Sequence, residues 1–336
     1  MAAELLVVAP NRDAPFVEAD VRALNREIAT ERIAVEDHRG KLGLIAELRR
    51  RFRRGEGRAL MLWFLAPGYA LECMAIARRF SRPVVVMTGG LDVDYVPELG
   101  LGGLKWPHNR LRQKVGLRWA DLVLSMSSYS TERILALATP RRLELVPMGV
   151  DVRHFAPAGV KEPLVLSVCF EITRKTAVLK GLPTLIAAAA ALPDVPFVVV
   201  GRAGRDDELD RLKRSSPANV SFTERFVSDD ELLDLYRRAS VYVQVSAHEG
   251  FGLAAAESMA CECVPVVTAG HALSEVVGET GIRVPYGDID ATAEAIALGL
   301  GSAELGRAAR RRIVERYTID RRAERLIELL RPLVGR

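Results

Sequence analysis

Two glutamates and two glycines within ten residues have the types and spacing of a ligand-binding site. The segment 248–257 reads His-Glu-Gly-Phe-Gly-Leu-Ala-Ala-Ala-Glu, which places Glu249 and Glu257 eight residues apart with Gly250 and Gly252 between them. The carboxylates cannot bind phosphate themselves, because like charges repel. Their expected partners are hydroxyl groups; the alternative is that both glutamates are solvated charges on a loop and a helix surface.

The sequence around this segment predicts the elements that position it. The apolar run 241–245 comes before it and indicates a buried parallel strand, and the alanine-rich stretch 253–261 indicates a helix. A glycine-bearing turn between strand and helix suits phosphate, since free backbone N–H groups in the first helical turn attract anions. A ligand that offers both phosphates and hydroxyls is a sugar nucleotide.

A lysine–glycine pair earlier in the chain predicts a second contact with the same ligand. Lys180 and Gly181 follow one predicted strand and precede a predicted helix. A lysine at a helix start is unfavourable on its own, because the helix dipole is positive there. Binding a diphosphate explains it better. Arg174 and Lys175, in the predicted loop before it, either add charge to the site or are solvated.

These charges suit a reaction in which a nucleoside diphosphate departs. Breaking a sugar–phosphate bond leaves extra negative charge on the diphosphate, and cations with a helix N-terminus stabilise it without a metal. An Asp-x-Asp pair after a strand of the second half would indicate a required metal, but 92–94 is in the first half. The sequence therefore predicts a metal-independent site with no cofactor.

The composition is that of an ordinary globular protein. Of 336 residues, 49% are hydrophobic and 27% charged, with a net charge of +4. No apolar run approaches the roughly 20 residues that span a bilayer. The first residues enter a predicted strand without a basic leader, so a cytoplasmic protein is expected. The four cysteines fit neither a disulfide framework nor a zinc site.

Alternating strand and helix patterns predict two α/β domains, each a Rossmann-like, doubly wound parallel sheet, facing across a cleft. We expect domains at 1–155 and 156–312, joined by a linker at 149–163, and a C-terminal helix at 313–336 that crosses back to the first domain. The predicted helices include 16–29, 67–80, 182–192, 253–261 and the last 35 residues. The predicted strands are 4–9, 31–36, 59–65, 83–88, 120–125, 142–147, 163–169, 195–201, 219–223, 241–246, 264–268 and 281–285.

Several motifs together carry a resemblance to a known enzyme family. They are Glu-Gly-Phe-Gly-x-x-x-x-Glu at 249–257, Met-Ala at 259–260, Pro-Val at 265–266, Lys-Gly at 180–181 and Gly-Val-Asp…Phe-x-Pro at 149–157. In these the chain resembles the retaining glycosyltransferases of family 4, which have the two-domain GT-B fold. The resemblance covers nearly the whole chain and is most specific over 164–285.

The resemblance implies a role for each motif. Glu249 would contact donor-sugar hydroxyls near the anomeric carbon, Glu257 would bind the ribose hydroxyls, and Lys180 would neutralise the diphosphate. Backbone amides after Glu249 would line the sugar and diphosphate, and a segment before the helix that the Ser228 capping box opens would hold the base. The amide segment is Gly250, Phe251, Gly252 and Leu253, and the base segment is Arg225 and Phe226.

The chain also departs from the family pattern. The family's arginine before the lysine is missing, and Arg174 or Lys175 would take its place. Glu262 stands where a glycine is usual, and His271 replaces the second glycine of a Gly-Gly pair. The loop 10–13 lacks the glycine pair that many members use near the phosphates. Activity toward an ordinary donor therefore does not follow from the motifs alone.

A glycine-rich turn in the first half resembles the segment that meets the acceptor and donor sugar in relatives. Gly89, Gly90 and Asp92 follow a predicted strand. The resemblance implies that Asp92 orients the incoming hydroxyl. The alternative is a turn aspartate without a ligand, because glycine and aspartate both favour turns.

Two basic helices in the first half suggest that the protein binds the surface of an anionic membrane. The segment 41–54 has an apolar stripe and five arginines, and 110–118 is a second basic helix. Such helices bind anionic lipid surfaces; the alternative is an amphipathic helix that packs on the sheet. Nucleic-acid binding is not predicted, since no recognised module accompanies the charge.

The sequence thus predicts a retaining, metal-independent hexosyltransferase. Its donor would be a UDP-, GDP- or ADP-sugar, and its acceptor a hydroxyl of a glycan, a lipid-linked molecule or a small molecule. The alternative from another class is a non-catalytic sugar-nucleotide-binding protein or partner subunit, which the missing arginine and Glu262 motivate. A phosphorylase or epimerase is disfavoured by the two spaced glutamates.

Overall fold

Twelve strands form two six-stranded parallel sheets within residues 2–10, 14–38, 40–66 and 68–335, which are those that the computed structural model describes. Every predicted strand is present, with ends that differ by a few residues. The first sheet consists of β1 Leu5–Ala9, β2 Thr30–Ala34, β3 Ala59–Trp63, β4 Val84–Met87, β5 Leu122–Ser125 and β6 Leu143–Leu145. The second consists of β7 Glu162–Ile172, β8 Phe197–Ala203, β9 Val220–Glu224, β10 Ala239–Gln244, β11 Val264–Thr268 and β12 Ile282–Val284.

Helices connect the strands, as parallel pairing requires. In the first half they are α1 Pro15–Leu24, α2 Gly40–Arg53, α3 Ala70–Arg79, α4 Pro107–Trp119 and α5 Ser128–Leu137. In the second half they are α6 Arg174–Leu179, α7 Leu182–Ala189, α8 Glu208–Ser215, α9 Asp229–Arg238, α10 Leu253–Ala260, α11 His271–Val277, α12 Ile289–Leu300, α13 Ala303–Arg316 and α14 Ile319–Val334. No helix in the described ranges has the length and apolar character needed to cross a membrane.

Both sheets are doubly wound. The strand order is β2-β1-β3-β4-β5-β6 in the first and β12-β11-β10-β7-β8-β9 in the second. Central strands such as β1, β3 and β4 are buried along their whole length because helices cover both faces. In the second sheet the order reverses between β7 and β10, and ligands of such sheets bind at the carboxyl ends of the strands at this switch point.

The chain divides into one unit of residues 1–148 with 319–336 and another of residues 149–318. The boundaries differ from the predicted 155 and 312, and the segment expected as a linker at 149–163 belongs to the second unit. The second boundary follows from a short backbone pairing: Val150 donates its N–H to the Tyr317 carbonyl at 2.8 Å, and Val150 bridges to Thr318.

That pairing also corrects the prediction of continuous helix over the last 35 residues. Two helices, α13 and α14, are separated at Tyr317 and Thr318, and Val314 is 41% exposed rather than part of the apolar face. The predicted helix 16–29 is shorter as well. It ends at Leu24 because the Asn25 side chain bonds the backbone of Thr30, with the Thr30 N–H donating to Asn25 Oδ1 at 2.7 Å.

Candidate active site

The switch point of the second sheet brings together two of the predicted catalytic residues. Lys180 follows β7 and α6, and Glu249 follows β10, which pairs with β7 in parallel. Lys180 Nζ lies 2.6 Å from Glu249 Oε1. Gln244 Nε2 and Ser246 Oγ donate to the same oxygen at 2.7 and 2.9 Å. No hydrogen bond from the described residues reaches Oε2, which leaves that oxygen to accept from a hydroxyl group of a ligand.

The ion pair determines the charge state of both groups. Burial raises the pKa of Glu249, but the Lys180 ammonium and the hydrogen bonds from Lys180, Gln244 and Ser246 outweigh it, so the pKa lies below the usual value. Burial lowers the pKa of Lys180, and the Glu249 carboxylate reverses this and raises it. Both side chains are therefore charged at neutral pH.

Gly181 allows the lysine segment to approach β10 closely. Its φ is +70°, and a Cβ there would lie 2.1 Å from the carbonyl oxygen of Val245. The Ala247 N–H also donates to the Leu179 carbonyl at 2.8 Å. Only glycine satisfies both the left-handed backbone and the close contact, so Gly181 fixes the position of Lys180 against the loop of Glu249.

The turn after Glu249 presents the start of α10 without a side-chain cap. Gly252 is the N-cap residue with φ of +93°, and a Cβ there would come within 2.4 Å of a leucine side chain. The N–H groups of Leu253 and the next two residues therefore have neither a helical partner nor a side-chain cap, which makes them donors for an anion. Gly250 is buried, and the Phe251 ring packs against Tyr317 at 5.5 Å between centroids.

Glu257, on α10, lies in a different environment from Glu249. Its Oε2 accepts a hydrogen bond from Tyr236 Oη at 3.3 Å, and no cation in the described residues pairs with it. Burial raises its pKa to about 8; the Tyr236 hydrogen bond lowers it only in part, and the nearby Asp229 charge raises it further. A carboxyl in this state is suited to exchange hydrogen bonds with hydroxyl groups.

The structure corrects the predicted loop before Lys180. Arg174 and Lys175 begin the short helix α6, because Thr173 and Thr176 form a capping box that the sequence analysis missed. Both side chains are exposed, and the Arg174 N–H donates to Asp206 Oδ2 at 3.0 Å. Neither side chain has an ion pair among the described residues, so both are available to a ligand. That one of them replaces the family's arginine stays a prediction.

Arg225 and Phe226 lie at the surface after β9. Arg225 is paired with Glu231 through a 2.6 Å contact, and Phe226 is 60% exposed. The ring of Phe226 stands edge-on to Phe170 at 5.9 Å, and Arg202 lies 5.1 Å over Phe170. Phe170, which was not among the predicted site residues, is therefore in contact with one of them.

Asp92 has both carboxylate oxygens occupied by backbone groups. Oδ1 accepts from the Gly89 N–H at 2.8 Å, and Oδ2 from the Leu65 N–H at 3.2 Å. Gly90 has φ of +106° in the same turn. These contacts are those of a turn aspartate, the alternative left open above; burial raises its pKa, and the backbone hydrogen bonds oppose the rise. The role toward an acceptor stays a prediction.

The two residues that stand where the family has glycine adopt the backbone conformation that glycine favours. Glu262 has φ of +68° and His271 has φ of +51°, both in the left-handed region. A non-glycine residue in this conformation lowers the stability of the fold by about 1–2 kcal/mol. The two replacements therefore strain the backbone without changing its course. The His271 ring lies 5.5 Å from that of buried His248, next to Glu249.

The remaining sequence predictions concern phosphate contacts and metals. Residues 11–13 of the loop without the glycine pair lie outside the described residues, as does Pro67 at the predicted start of a helix. Among the described residues, no group of three His, Cys, Asp or Glu side chains could hold a metal ion. The four cysteines are free thiols and all are buried.

Gln244 and Ser246 are the site residues that the sequence analysis missed. Both hold Glu249, and Tyr242 Oη donates to Gln244 Oε1 at 3.1 Å. Their signal was present in the sequence, since a glutamine inside an otherwise apolar strand is a buried polar group that needs partners.

Comparison with known proteins identifies relatives for much of this chain. Residues 170–300, which contain Lys180, Glu249 and Glu257, match the family model for glycosyl transferases group 1. The MMP alpha-(1->4)-mannosyltransferase of Mycolicibacterium hassiacum is 30% identical over 246 residues, 67% of this chain and 57% of that protein. The GDP-mannose-dependent monoacylated alpha-(1-6)-phosphatidylinositol monomannoside mannosyltransferase of Corynebacterium glutamicum is 28% identical over 297 residues, 80% of this chain and 75% of that protein.

Solved structures of low identity share the fold along almost the whole chain. Sucrose-phosphate synthase from Thermosynechococcus elongatus matches with a TM-score of 0.81 at 18% identity, over 98% of this chain and 99% of that one. Anabaena HepE, solved with UDP and glucose, matches with a TM-score of 0.76 at 17% identity, over 98% and 99%. The predicted GT-B fold class is confirmed, and the family model assigns residues 170–300 to the glycosyl transferases group 1.

Proposed function

We propose that the protein transfers a hexose from a nucleoside diphosphate sugar to an acceptor hydroxyl, with retained configuration and without a metal. The observation that carries this proposal is the Lys180–Glu249 pair at the switch point, beside the uncapped start of α10. The cation and the helix amides suit a diphosphate, and the open Glu249 Oε2 suits a sugar hydroxyl. We place the reaction in the cytoplasm.

The proposed reaction uses these groups to stabilise the leaving diphosphate. The bond between the anomeric carbon and the phosphate oxygen breaks as the acceptor oxygen attacks from the same face. The acceptor proton passes to the departing phosphate. Lys180 and the α10 amides offset the charge that develops there, which is where such groups contribute most. Glu257 would hold the ribose, and Arg225 with Phe226 would lie near the base.

The names of the relatives suggest which donor to test first. Two of the relatives described above are mannosyltransferases, and one is named as GDP-mannose-dependent. We therefore propose GDP-mannose as the first donor, with UDP-glucose and ADP-glucose as comparisons. The chain spans 57% of the first relative's length and 75% of the second's. The donor and acceptor of this protein are therefore part of the proposal and are to be tested.

Lys180→Ala and Glu249→Ala should each reduce turnover by at least roughly a hundredfold, the usual loss when a charge stabiliser is removed. Release of nucleoside diphosphate, with and without an acceptor, measures this. Lys213→Ala removes an exposed lysine of α8 that pairs with Glu224 and should behave like the wild type. Wild-type rates in both site variants would refute the assignment.

The same assay separates the enzyme from the alternative of a non-catalytic binder. Donor binding without release of nucleoside diphosphate, across the three donors and several acceptors, would favour the binder. Rates unchanged by a chelator support metal independence, and loss of activity that added metal restores would contradict it. The anomeric configuration of the product, read by NMR, tests retention.

A further inference from the structure

Three helices of the first unit share one face of its sheet. Buried side chains of α2, α3 and α4, such as Leu48, Met74 and Leu117, belong to a single apolar cluster. Glu72 on α3 links the other two, since its carboxylate lies 3.1 Å from the Lys41 ammonium on α2 and 2.9 Å from the Arg112 guanidinium on α4. We call the outward side of these helices, with Arg54 and Lys105–Trp106 at their ends, the basic helical surface.

The positive charge of the chain is concentrated in these helices. Together α2, α3 and α4 contain eleven Lys and Arg residues but only two Glu, a formal charge of +9. The whole chain carries +4, so the remaining residues carry −5. The mild net charge therefore hides a strongly basic face on an otherwise acidic protein, and such asymmetry indicates an anionic partner.

The five arginines at the end of α2 and just after it differ in their contacts with the rest of the protein. Arg51 pairs with three glutamates and Arg50 with Glu47. Arg49, Arg53 and Arg54, by contrast, are exposed and have no ion pair among the described residues. With Arg50 they line one shallow depression. Four guanidinium groups around one concave surface can bind phosphate oxygens with paired hydrogen bonds.

Large apolar side chains stand among these charges. Leu42 is 78% exposed, Leu111 63%, Trp106 55% and Trp119 42%. Two of the three tryptophans of the chain are thus on this surface, and the third, Trp63, is buried. Exposed tryptophan and leucine beside arginine are typical of surfaces that enter the headgroup region of a bilayer.

We propose that the basic helical surface docks on an anionic lipid bilayer, with the arginines at the lipid phosphates and Trp106, Leu111 and Trp119 in the interfacial layer. A nucleic acid would pair with the positive charges but would not bury the exposed leucines. A lipid bilayer does both, so we favour lipid as the partner. The proposal goes beyond the proposed function. Its tests use no sugar nucleotide. The membrane proposal can therefore fail while the transferase proposal holds, and the transferase proposal can fail while the membrane proposal holds.

Co-sedimentation with vesicles tests the charge. The full chain should bind vesicles of 70% phosphatidylcholine and 30% phosphatidylglycerol at 0.15 M salt, and bind pure phosphatidylcholine vesicles far more weakly. The triple variant R49A/R53A/R54A should partition on the order of a hundredfold less, at about 1 kcal/mol for each arginine near the surface. The control R22A/R214A/R316A removes one arginine each from α1, α8 and α13; all three are exposed and have no ion pair within the described part of the chain, so this variant should bind like the wild type. Equal losses in the two variants would show a nonspecific charge effect and overturn the site.

Tryptophan fluorescence tests the apolar contact. Anionic vesicles should shift the emission to the blue, because Trp106 and Trp119 leave water whereas Trp63 is already buried. W106A/W119A should lose the shift and keep its melting temperature. Absence of a shift in the wild type would overturn the proposal. So would tight binding of a DNA duplex at 0.15 M salt by a protein that ignores the vesicles, which would identify a nucleic-acid surface instead.

Discussion

Glu257 is a carboxyl whose environment opposes its charge. It has a pKa of about 8 because burial outweighs its hydrogen bond from Tyr236. In the free protein it is therefore largely protonated at neutral pH. Hydroxyl donors of a ribose would favour the charged form, so nucleotide binding is expected to lower this pKa and release a proton.

Replacing this carboxyl by an amide should change how stability depends on pH. The folded-state pKa lies above the ordinary 4.5, so the contribution of Glu257 is fully favourable below pH 4.5 and is lost as the pH rises through about 8. Glu257→Gln should be more stable than the wild type at pH 9, by up to about 5 kcal/mol for a pKa shift from 4.5 to about 8, and similar to it at pH 4.5. Urea unfolding at the two pH values measures this. An equal difference at both values would contradict the assigned pKa.

At the scale of single residues, the sequence predicted which groups meet but not how they are held. Lys180 and Glu249 were expected at one site because both follow strands of one sheet. Their pairing through a single oxygen, with Gln244 and Ser246, depends on side-chain rotamers that spacing does not encode. The turn role of Asp92 likewise depends on backbone amides from two separate segments.

At the scale of elements, Gly181 joins the start of α7 to the loop after β10. Gly181→Ala should be strongly destabilising, since a Cβ would lie 2.1 Å from the Val245 carbonyl oxygen at a positive φ. Gly159→Ala is the matched control: its φ is +72° and nothing lies within 4 Å of the new Cβ. We expect a loss of about 1 kcal/mol for the control and at least about 2 kcal/mol more for Gly181→Ala. Equal losses would show that backbone strain alone acts at Gly181.

Strands were more predictable than helix ends at this scale. Buried parallel strands require continuous Val- and Leu-rich runs, which stand out in the sequence. Helix ends depend on local competitors, such as Asn25 bonding Thr30 after α1 and the Thr173 capping box that opens α6. The Asn25–Thr30 hydrogen bond ends a helix earlier than predicted. The Thr173 capping box makes a helix of a segment that was predicted to be a loop.

At the scale of the whole molecule, a buried ion pair links the two ends of the chain. Arg322 on α14 and Asp20 on α1 make two contacts of 2.7 Å, and both side chains are at most 2% exposed. Arg322 also donates to the carbonyls of Val146 and Pro147 at 2.8 and 2.7 Å. The pair is separated by 302 positions, so no local pattern in the sequence could predict it.

Arg322→Met should destabilise the protein by about 3–5 kcal/mol, because it leaves Asp20 buried without a partner. Arg325→Met removes an arginine of the same helix whose pairs with Glu144 and Glu328 are partly exposed, and it should cost less than about 1 kcal/mol. Combining Arg322→Met with Asp20→Leu should recover much of the loss. Additive losses in the double variant would show that the two side chains act independently.

The proposed function requires that the second unit binds an activated sugar through Lys180. Thermal unfolding of the wild type and Lys180→Ala with GDP-mannose, UDP-glucose, ADP-glucose and their nucleoside diphosphates tests it most directly, because a bound ligand raises the melting temperature by mass action. We expect at least one donor to stabilise the wild type in a dose-dependent way and Lys180→Ala to lose most of this stabilisation. A wild type that no sugar nucleotide stabilises, or a variant stabilised as much as the wild type, would contradict it.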